Sequence, residues 1–144
     1  MKNKIAILTM FMFLGSHLFA QSTMQSWKEL KNFHEVMAQT FHPSEEGDLK
    51  PIKARATELK DKAIVLADSK IPADFNNEKV KAALGKLKDE TAKMEKMVNA
   101  KASDKEITAQ LNTVHDSFHA VAGLCSKDDE HMEHKDGEHM EHKK

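Results

Sequence analysis

The chain has 144 residues, and its 22 basic and 23 acidic side chains give a formal net charge of -1 with histidine neutral. Lys2 and Lys4 precede an apolar stretch that ends in Leu18-Phe19-Ala20, and residues 1–20 are therefore typical of a cleaved secretory signal. Once they are removed, acidic residues outnumber basic ones, which excludes the basic surface that nucleic-acid binding requires. No later apolar run approaches the roughly 18 residues of a membrane span, so we predict no membrane insertion.

The start of the mature chain predicts a periplasmic location. Gln21 follows the predicted cleavage site, where a bacterial lipoprotein would need a cysteine, so the product is expected to be released without a lipid. The periplasm oxidises thiols, yet Cys125 is the only cysteine, which excludes an internal disulfide. This thiol is therefore a metal ligand, a dimer crosslink or a small buried residue, and the protein is expected to be a monomer or a dimer.

The composition favours helices over strands. Tyrosine is absent, and alanine, lysine, glutamate, methionine and leucine dominate. In the first of four amphipathic segments, Ser26 and Glu29 form a capping-box pattern, and Pro43 is predicted to end the helix. The predicted apolar seam of this helix contains Trp27, Leu30, His34, Met37 and Phe41.

Three further helices are predicted from caps, breaks and periodicity. Asp48 and Pro51 suit the start of the second helix, residues 71–74 break the chain after it, and Ser103 with Glu106 forms the capping box of the fourth. The three apolar seams contain Ile52, Ala56, Leu59, Ala63 and Leu66; Val80, Leu84, Leu87, Thr91, Met94 and Val98; and Ile107, Leu111, Val114, Phe118, Val121 and Cys125. Short connections between four such helices predict an all-α fold, an antiparallel up-down-up-down four-helix bundle over residues 21–126.

Residues 127–144 form a C-terminal segment of different composition. Its only aliphatic side chains are two methionines, so it cannot build a core and is predicted to be a disordered tail. The pattern Glu-His-Met-Glu-His occurs in it twice, with the histidines at His131, His134, His139 and His142. Imidazole, thioether and carboxylate groups together suit copper, nickel or zinc, and the methionine sulfurs favour copper. The alternative is a solvated charged tail that binds metal only adventitiously.

Three histidines of the bundle region are predicted to lie at the same height along the bundle axis. His115 and His119 are four residues apart on one helical face, a spacing from which two imidazoles can chelate one ion. In an antiparallel bundle the partner of His34 on the fourth helix lies near Ser117, between these two. His34 in the seam needs a polar partner, so we predict a metal site of three nitrogens, completed by Met37, water or Asp116. In the alternative, His34 hydrogen-bonds within the core and the other two are solvated.

His42 is predicted to lie apart from this site. It follows His34 by eight residues, or about 12 Å along a straight helix, so it should not share the same ion. With Glu45 and Glu46 it could form a second, weak site, although a histidine at a helix C-terminus is already stabilised by the macrodipole.

The signal and the four-helix plan resemble the periplasmic cytochrome b562 and cytochrome c′ group by architecture over residues 22–125. Covalent haem is not expected, because Cys125 stands in Leu-Cys-Ser-Lys without the Cys-x-x-Cys-His motif of cytochromes c′. The resemblance implies instead a b-type haem held by Met24 or Met37 with His119 or His115. Phe33-His34, 40–43 (Thr-Phe-His-Pro), 115–119 (His-Asp-Ser-Phe-His) and 123–125 (Gly-Leu-Cys) also resemble small secreted proteins of Bacteroidetes, which implies only the compartment and the bundle.

The sequence therefore predicts a non-enzymatic periplasmic protein that binds a metal ion, with copper as the first choice and zinc as the second. It is expected to sequester this ion or to transfer it to a metal-transport or redox partner. The alternatives are a carrier of non-covalent haem b and a structural or interaction bundle without a cofactor. No nucleophile elbow, phosphate loop or paired-carboxylate motif is present, which disfavours an enzyme.

Overall fold

A computed structural model describes residues 27–126. The predicted signal, the predicted cap Ser26 and the predicted tail with its four histidines lie outside these residues. Within 27–126 the chain is all-helical, without strands, which confirms the predicted all-α class and the four helices. Its elements are α1 (Lys28–Glu45), α2 (Lys50–Asp68), a short 3-10 helix (Ala73–Phe75), α3 (Glu78–Asn99) and α4 (Asp104–Leu124). None of the described helices has the length and apolar character needed to cross a membrane.

The four helices pack around one apolar core. Each helix contacts the next along the chain, and α1 also contacts α4, although less extensively. The predicted seams of α2, α3 and α4 are buried, except that Val98 is only partly so. The polar side chain of Gln110 is buried with them, and its amide donates hydrogen bonds to the carbonyl and carboxylate of Glu90 at 3.1 and 2.7 Å. Such pairing removes the cost of burying an amide.

The predicted seam of α1 is wrong at one position. His34 is exposed, whereas its neighbour Phe33 is 0% exposed and occupies the core. Between Leu30 and Met37 either residue completes a helical repeat of three and four, so the spacing alone does not distinguish them. Burying a phenyl ring releases more free energy than burying an imidazole that needs a polar partner, and Phe33 therefore faces inward.

The predicted end of α1 is also wrong. The helix continues through Pro43 to Glu45 and ends in a Schellman motif, in which the amide of Gly47 donates to the Ser44 carbonyl and that of Asp48 to the Pro43 carbonyl. Gly47 has a φ of 85°, the left-handed conformation that this motif needs. The helix therefore continues although Pro43 lacks the N–H that would bond to the carbonyl four residues earlier, and the glycine rather than the proline sets its end.

The helix starts agree more closely with the sequence. The capping box of α4 is present, with Ser103 and Glu106 bonded to each other's backbone, and Pro51 lies in the first turn of α2. Asp48 accepts a hydrogen bond from the Lys50 amide at 3.0 Å, although Leu49 occupies the capping position itself.

The buried Trp27 side chain depends on one polar partner. Its indole nitrogen donates to the Ser69 hydroxyl at 2.9 Å, and that hydroxyl donates to the Leu66 carbonyl at 2.8 Å. The bond joins the start of α1 to the end of α2. Trp27 is 2% exposed, so its N–H has no access to water as a replacement.

We predict that Ser69→Ala lowers the free energy of unfolding by about 1–3 kcal/mol, because it leaves the indole N–H buried and unpaired. Chemical denaturation followed by the fluorescence of Trp27 measures this value. Ser126→Ala is the matched control, since Ser126 also donates to a carbonyl three residues earlier, that of Gly123, but is exposed. Equal losses in the two variants would contradict a stabilising role for the indole bond.

A second prediction concerns the end of α3, which forms the same motif as α1 with a less suitable residue. The amides of Lys101 and Ala102 donate to the carbonyls of Val98 and Met97, and Lys101 has a φ of 54°. Since this conformation strains an L side chain, Lys101→Gly should raise the free energy of unfolding by about 0.5–1 kcal/mol. Thermal denaturation tests this, with Gly47→Ala expected to shift stability in the opposite direction. A destabilised Lys101→Gly protein would show that the lysine side chain outweighs the strain.

Candidate metal site

The histidines of α1 and α4 line one small cavity between these two helices. The cavity offers water-sized molecules about 20 Å³ of space, roughly the room for one water molecule, and is partly open to solvent. On α1 the lining includes Ala38, with His34 and His42 one turn away on either side along the same helical face. The small side chain of Ala38 leaves room for the longer imidazoles. The lining residues are His34, Met37, Ala38, Phe41, His42, His115, Phe118 and His119.

The two histidines of α4 already have the separation of a chelating pair. Nε2 of His115 lies 3.1 Å from Nε2 of His119, and their rings are inclined at 77°. Two nitrogens each about 2.0–2.1 Å from one ion lie roughly 2.9 Å apart in a square plane and roughly 3.3 Å apart in a tetrahedron. The observed separation falls between these values. Without an ion, the same distance allows a hydrogen bond in which one Nε2–H donates to the other ring.

His115 is held against α1 by aromatic stacking. Its ring lies parallel to that of Phe41, with centroids 3.7 Å apart and an interplanar angle of 1°. Burial lowers the pKa of His115 below its ordinary value, and the neighbouring His119 lowers it further. Both causes favour the neutral imidazole, which is the form that binds a metal ion.

His34 approaches the pair from the other end of the cavity. Its ring stacks on Phe118 at a centroid distance of 5.2 Å, and Phe118 in turn contacts the buried Phe33 at 5.5 Å. Phe118 is the residue after Ser117, the position near which the sequence predicts that α4 passes His34. The expected position in the core is wrong, as described above, and His34 belongs to the exposed edge of the α1–α4 interface.

His42 lies at the same cavity rather than apart from it. Its Nδ1 is 2.9 Å from Oε2 of Glu45, a residue that the continued helix places one turn further on. The predicted separation along α1 holds between His34 and His42 themselves. It does not separate His42 from the histidines of α4, because all four imidazoles line one cavity.

Two other predicted donors are also located. Met37 is 1% exposed and lines the cavity together with His119, the pair that the cytochrome-like resemblance implies. Cys125 is 1% exposed, and burial raises the pKa of its thiol. Of the three roles considered for this cysteine, the small buried residue fits its surroundings, because a crosslink requires an accessible thiolate.

The four histidines line one cavity, but only one pair is at ligand distance. In residues 27–126 no three side chains among histidine, cysteine, aspartate and glutamate are close enough together to hold an ion as they stand. A third protein ligand therefore requires a side-chain rotation. Sequence reasoning missed Ala38 and Phe41 as parts of the site, although Ala38 midway between two histidines at helical spacing was a visible signal.

Comparison of the chain with protein families, curated proteins and solved structures finds no match.

We predict that His115 titrates below 6.5 in the metal-free protein, because burial penalises its charged form. The unfolded chain then binds this proton at a higher pH than the folded protein. The contribution of His115 to the free energy of unfolding is therefore fully present above about pH 6.5. It is lost as the pH falls towards the pKa of the folded state. NMR titration of the ring, with denaturation at several pH values in EDTA, measures both effects. His115→Gln should show a shallower decrease, and a midpoint at or above 6.5 would contradict the prediction.

Proposed function

We propose that this protein binds a transition-metal ion at the α1–α4 interface and sequesters or transfers it in the periplasm. The 3.1 Å separation of the His115 and His119 nitrogens is the observation that carries the proposal. The neutral state favoured at His115 suits the same role, since a proton would compete with the metal. A third donor comes from α1, where His34 and His42 line the cavity and Met37 borders it, and water completes the coordination.

The proposed topology of the bundle is antiparallel, up-down-up-down. Short connections join consecutive helices, and the contacts between them have the order expected of hairpins. In α3 and α4, which flank a four-residue connection, Glu90 bonds to Gln110. In α1 and α4, Phe33 meets Phe118 and Phe41 meets His115, so the residue numbers run in opposite directions.

Copper is the first choice of metal and zinc the second. Imidazole nitrogens suit both ions, and affinity at such ligands generally favours Cu²⁺ over Zn²⁺. The tail adds histidines together with Met132 and Met140, and the sulfur donors favour copper again. In this proposal the tail collects metal from dilute solution, the bundle pair holds it, and a periplasmic transport or redox partner receives it. The role is one of binding and transfer rather than catalysis.

A non-covalent haem b is the second candidate, favoured by the shared cavity of Met37 and His119. The size of the cavity argues for the metal ion instead. Water-sized molecules have access to only about 20 Å³ of it, far below the roughly 300–1,000 Å³ of typical sites for organic ligands, and haem would have to displace packed core residues. A bundle without any cofactor is the third candidate, in which the two histidines form only a surface hydrogen bond.

The test uses the untagged mature protein in which the four tail histidines are replaced by glutamine, so that only the bundle can bind tightly. We expect calorimetry to detect one Cu²⁺ or Zn²⁺ per chain, and His115→Gln or His119→Gln to weaken binding at least tenfold, because each removes a ligand. Metal should raise the unfolding temperature of the parent protein and not that of the variants.

Two controls make this result interpretable. Lys105→Gln changes an exposed residue of α4 that does not line the cavity and should leave metal affinity unchanged. The absorbance spectrum of protein produced with haem available tests the second candidate, since bound haem gives a Soret band. Equal affinity in the parent and both histidine variants would overturn the proposed metal site.

A further inference from the structure

We propose that His42, rather than His34, is the third ligand of the ion, and that Glu45 is the residue that positions it. This inference rests on the proposed metal function, and it assigns a role to a carboxylate outside the chelating pair. It also reverses the expectation that His42 serves a separate site. Four observations support it: a hydrogen bond, the continuation of α1, the contact of Phe41 with His115 and the different contacts of His34.

The bond between His42 and Glu45 selects which ring nitrogen can bind metal. A carboxylate only accepts hydrogen bonds, so the Nδ1 that lies 2.9 Å from Oε2 of Glu45 carries the proton and donates it. In the neutral ring this leaves the lone pair on Nε2, the nitrogen at the far side of the imidazole. Histidines that bind metals commonly donate their other N–H to a carboxylate, which fixes the tautomer and increases the basicity of the ligand.

The continuation of α1 through Pro43 makes this bond possible. Because the helix ends at Glu45, the carboxylate follows His42 by three residues on one helical face. A helix that ended at Pro43 would leave Glu45 in a loop, where no helical spacing would hold it beside the imidazole. Gly47, which closes the Schellman motif, thus fixes the position of Glu45 as well.

The C-terminal turn of α1 lies next to His115, where Phe41 contacts its ring. Glu45 and His42 both act on His115 electrostatically, Glu45 by favouring its charged form and His42 by opposing it. Phe41, the neighbour of His42 in the chain, stacks directly on the His115 ring at 3.7 Å. The C-terminal turn of α1 is therefore the part of that helix closest to the buried member of the pair.

His34 has contacts of a different kind. Its ring stacks on Phe118 at 5.2 Å, and within residues 27–126 no side chain or backbone group forms a hydrogen bond with it. Nothing in this part of the chain selects its tautomer, and an ion would have to draw the ring away from Phe118. Of the two imidazoles on α1, His42 is the one already oriented by an acceptor.

Because His42 and Glu45 are exposed, an effect of their bond on metal binding can be distinguished from an effect on folding. Their side chains are 69% and 57% exposed, and exposed pairs of this kind contribute little to stability. Loss of the Glu45 carboxylate should therefore leave the stability of the metal-free protein nearly unchanged. A decrease in metal affinity without a decrease in stability is then specific to the positioning role.

The experiment uses the mature chain with its four tail histidines replaced by glutamine and titrates Zn²⁺ into it. His42→Gln should weaken binding at least tenfold, and Glu45→Gln about tenfold, the size of effect typical of carboxylates behind a metal-bound histidine. Glu46→Gln is the matched control, expected to change affinity less than twofold. His34→Gln tests the competing ligand, and this inference expects it to weaken binding less than His42→Gln does. Long-range proton–nitrogen NMR should show His42 as the Nδ1–H tautomer at pH 8, with its Nε2 resonance shifted by zinc.

The outcomes distinguish this inference from the function on which it rests. If His115→Gln and His119→Gln abolish binding while His42→Gln and Glu45→Gln do not weaken it, the metal site stands and His42 is not its third ligand. If His34→Gln is the variant that weakens binding, the assignment to His42 is overturned in the same way. If the His115 and His119 variants bind zinc as the parent does, the proposed function fails, and this inference fails with it.

Discussion

The packing of two phenylalanines, Phe33 on α1 and Phe118 on α4, sets the geometry of the candidate site. These helices are the first and last of the bundle, so no connecting loop holds them in register. Their relative position is decided by side chains, with the ring centroids 5.5 Å apart in the interior and Phe41 stacked on His115 nearer the surface. A shift of one turn between the helices would move every imidazole of α4 by about 5.4 Å relative to α1.

The core and the histidine cluster have complementary requirements. The core excludes water and buries apolar rings, whereas a metal ligand needs a free lone pair and access for the ion. The boundary between α1 and α4 meets both, because His115 is half-buried against Phe41 while His119, His34 and His42 are exposed. These helices also contact each other less extensively than consecutive helices do.

The ends of the helices affect this boundary as well. Gly47 and Lys101 occupy equivalent left-handed positions at the ends of α1 and α3. At α1 the motif extends the helix beyond Pro43 and brings Glu45 beside His42. A proline near a helix end indicates the end less reliably than a glycine that can adopt the left-handed conformation. Gly47, four residues after Pro43, was therefore the better indicator of this helix end in the sequence.

The sequence by itself determined the four helices, most of their starts and the buried seams of α2, α3 and α4, because periodicity and capping depend on residues close together in the chain. It also identified His115 and His119 as a pair, since their spacing lies within one helix. Only the tertiary structure decided that Phe33 rather than His34 faces the core and that His42 lines the same cavity as His115 and His119. Those outcomes depend on the rotation and register of α1 against α4, which are set by packing between residues far apart in the chain.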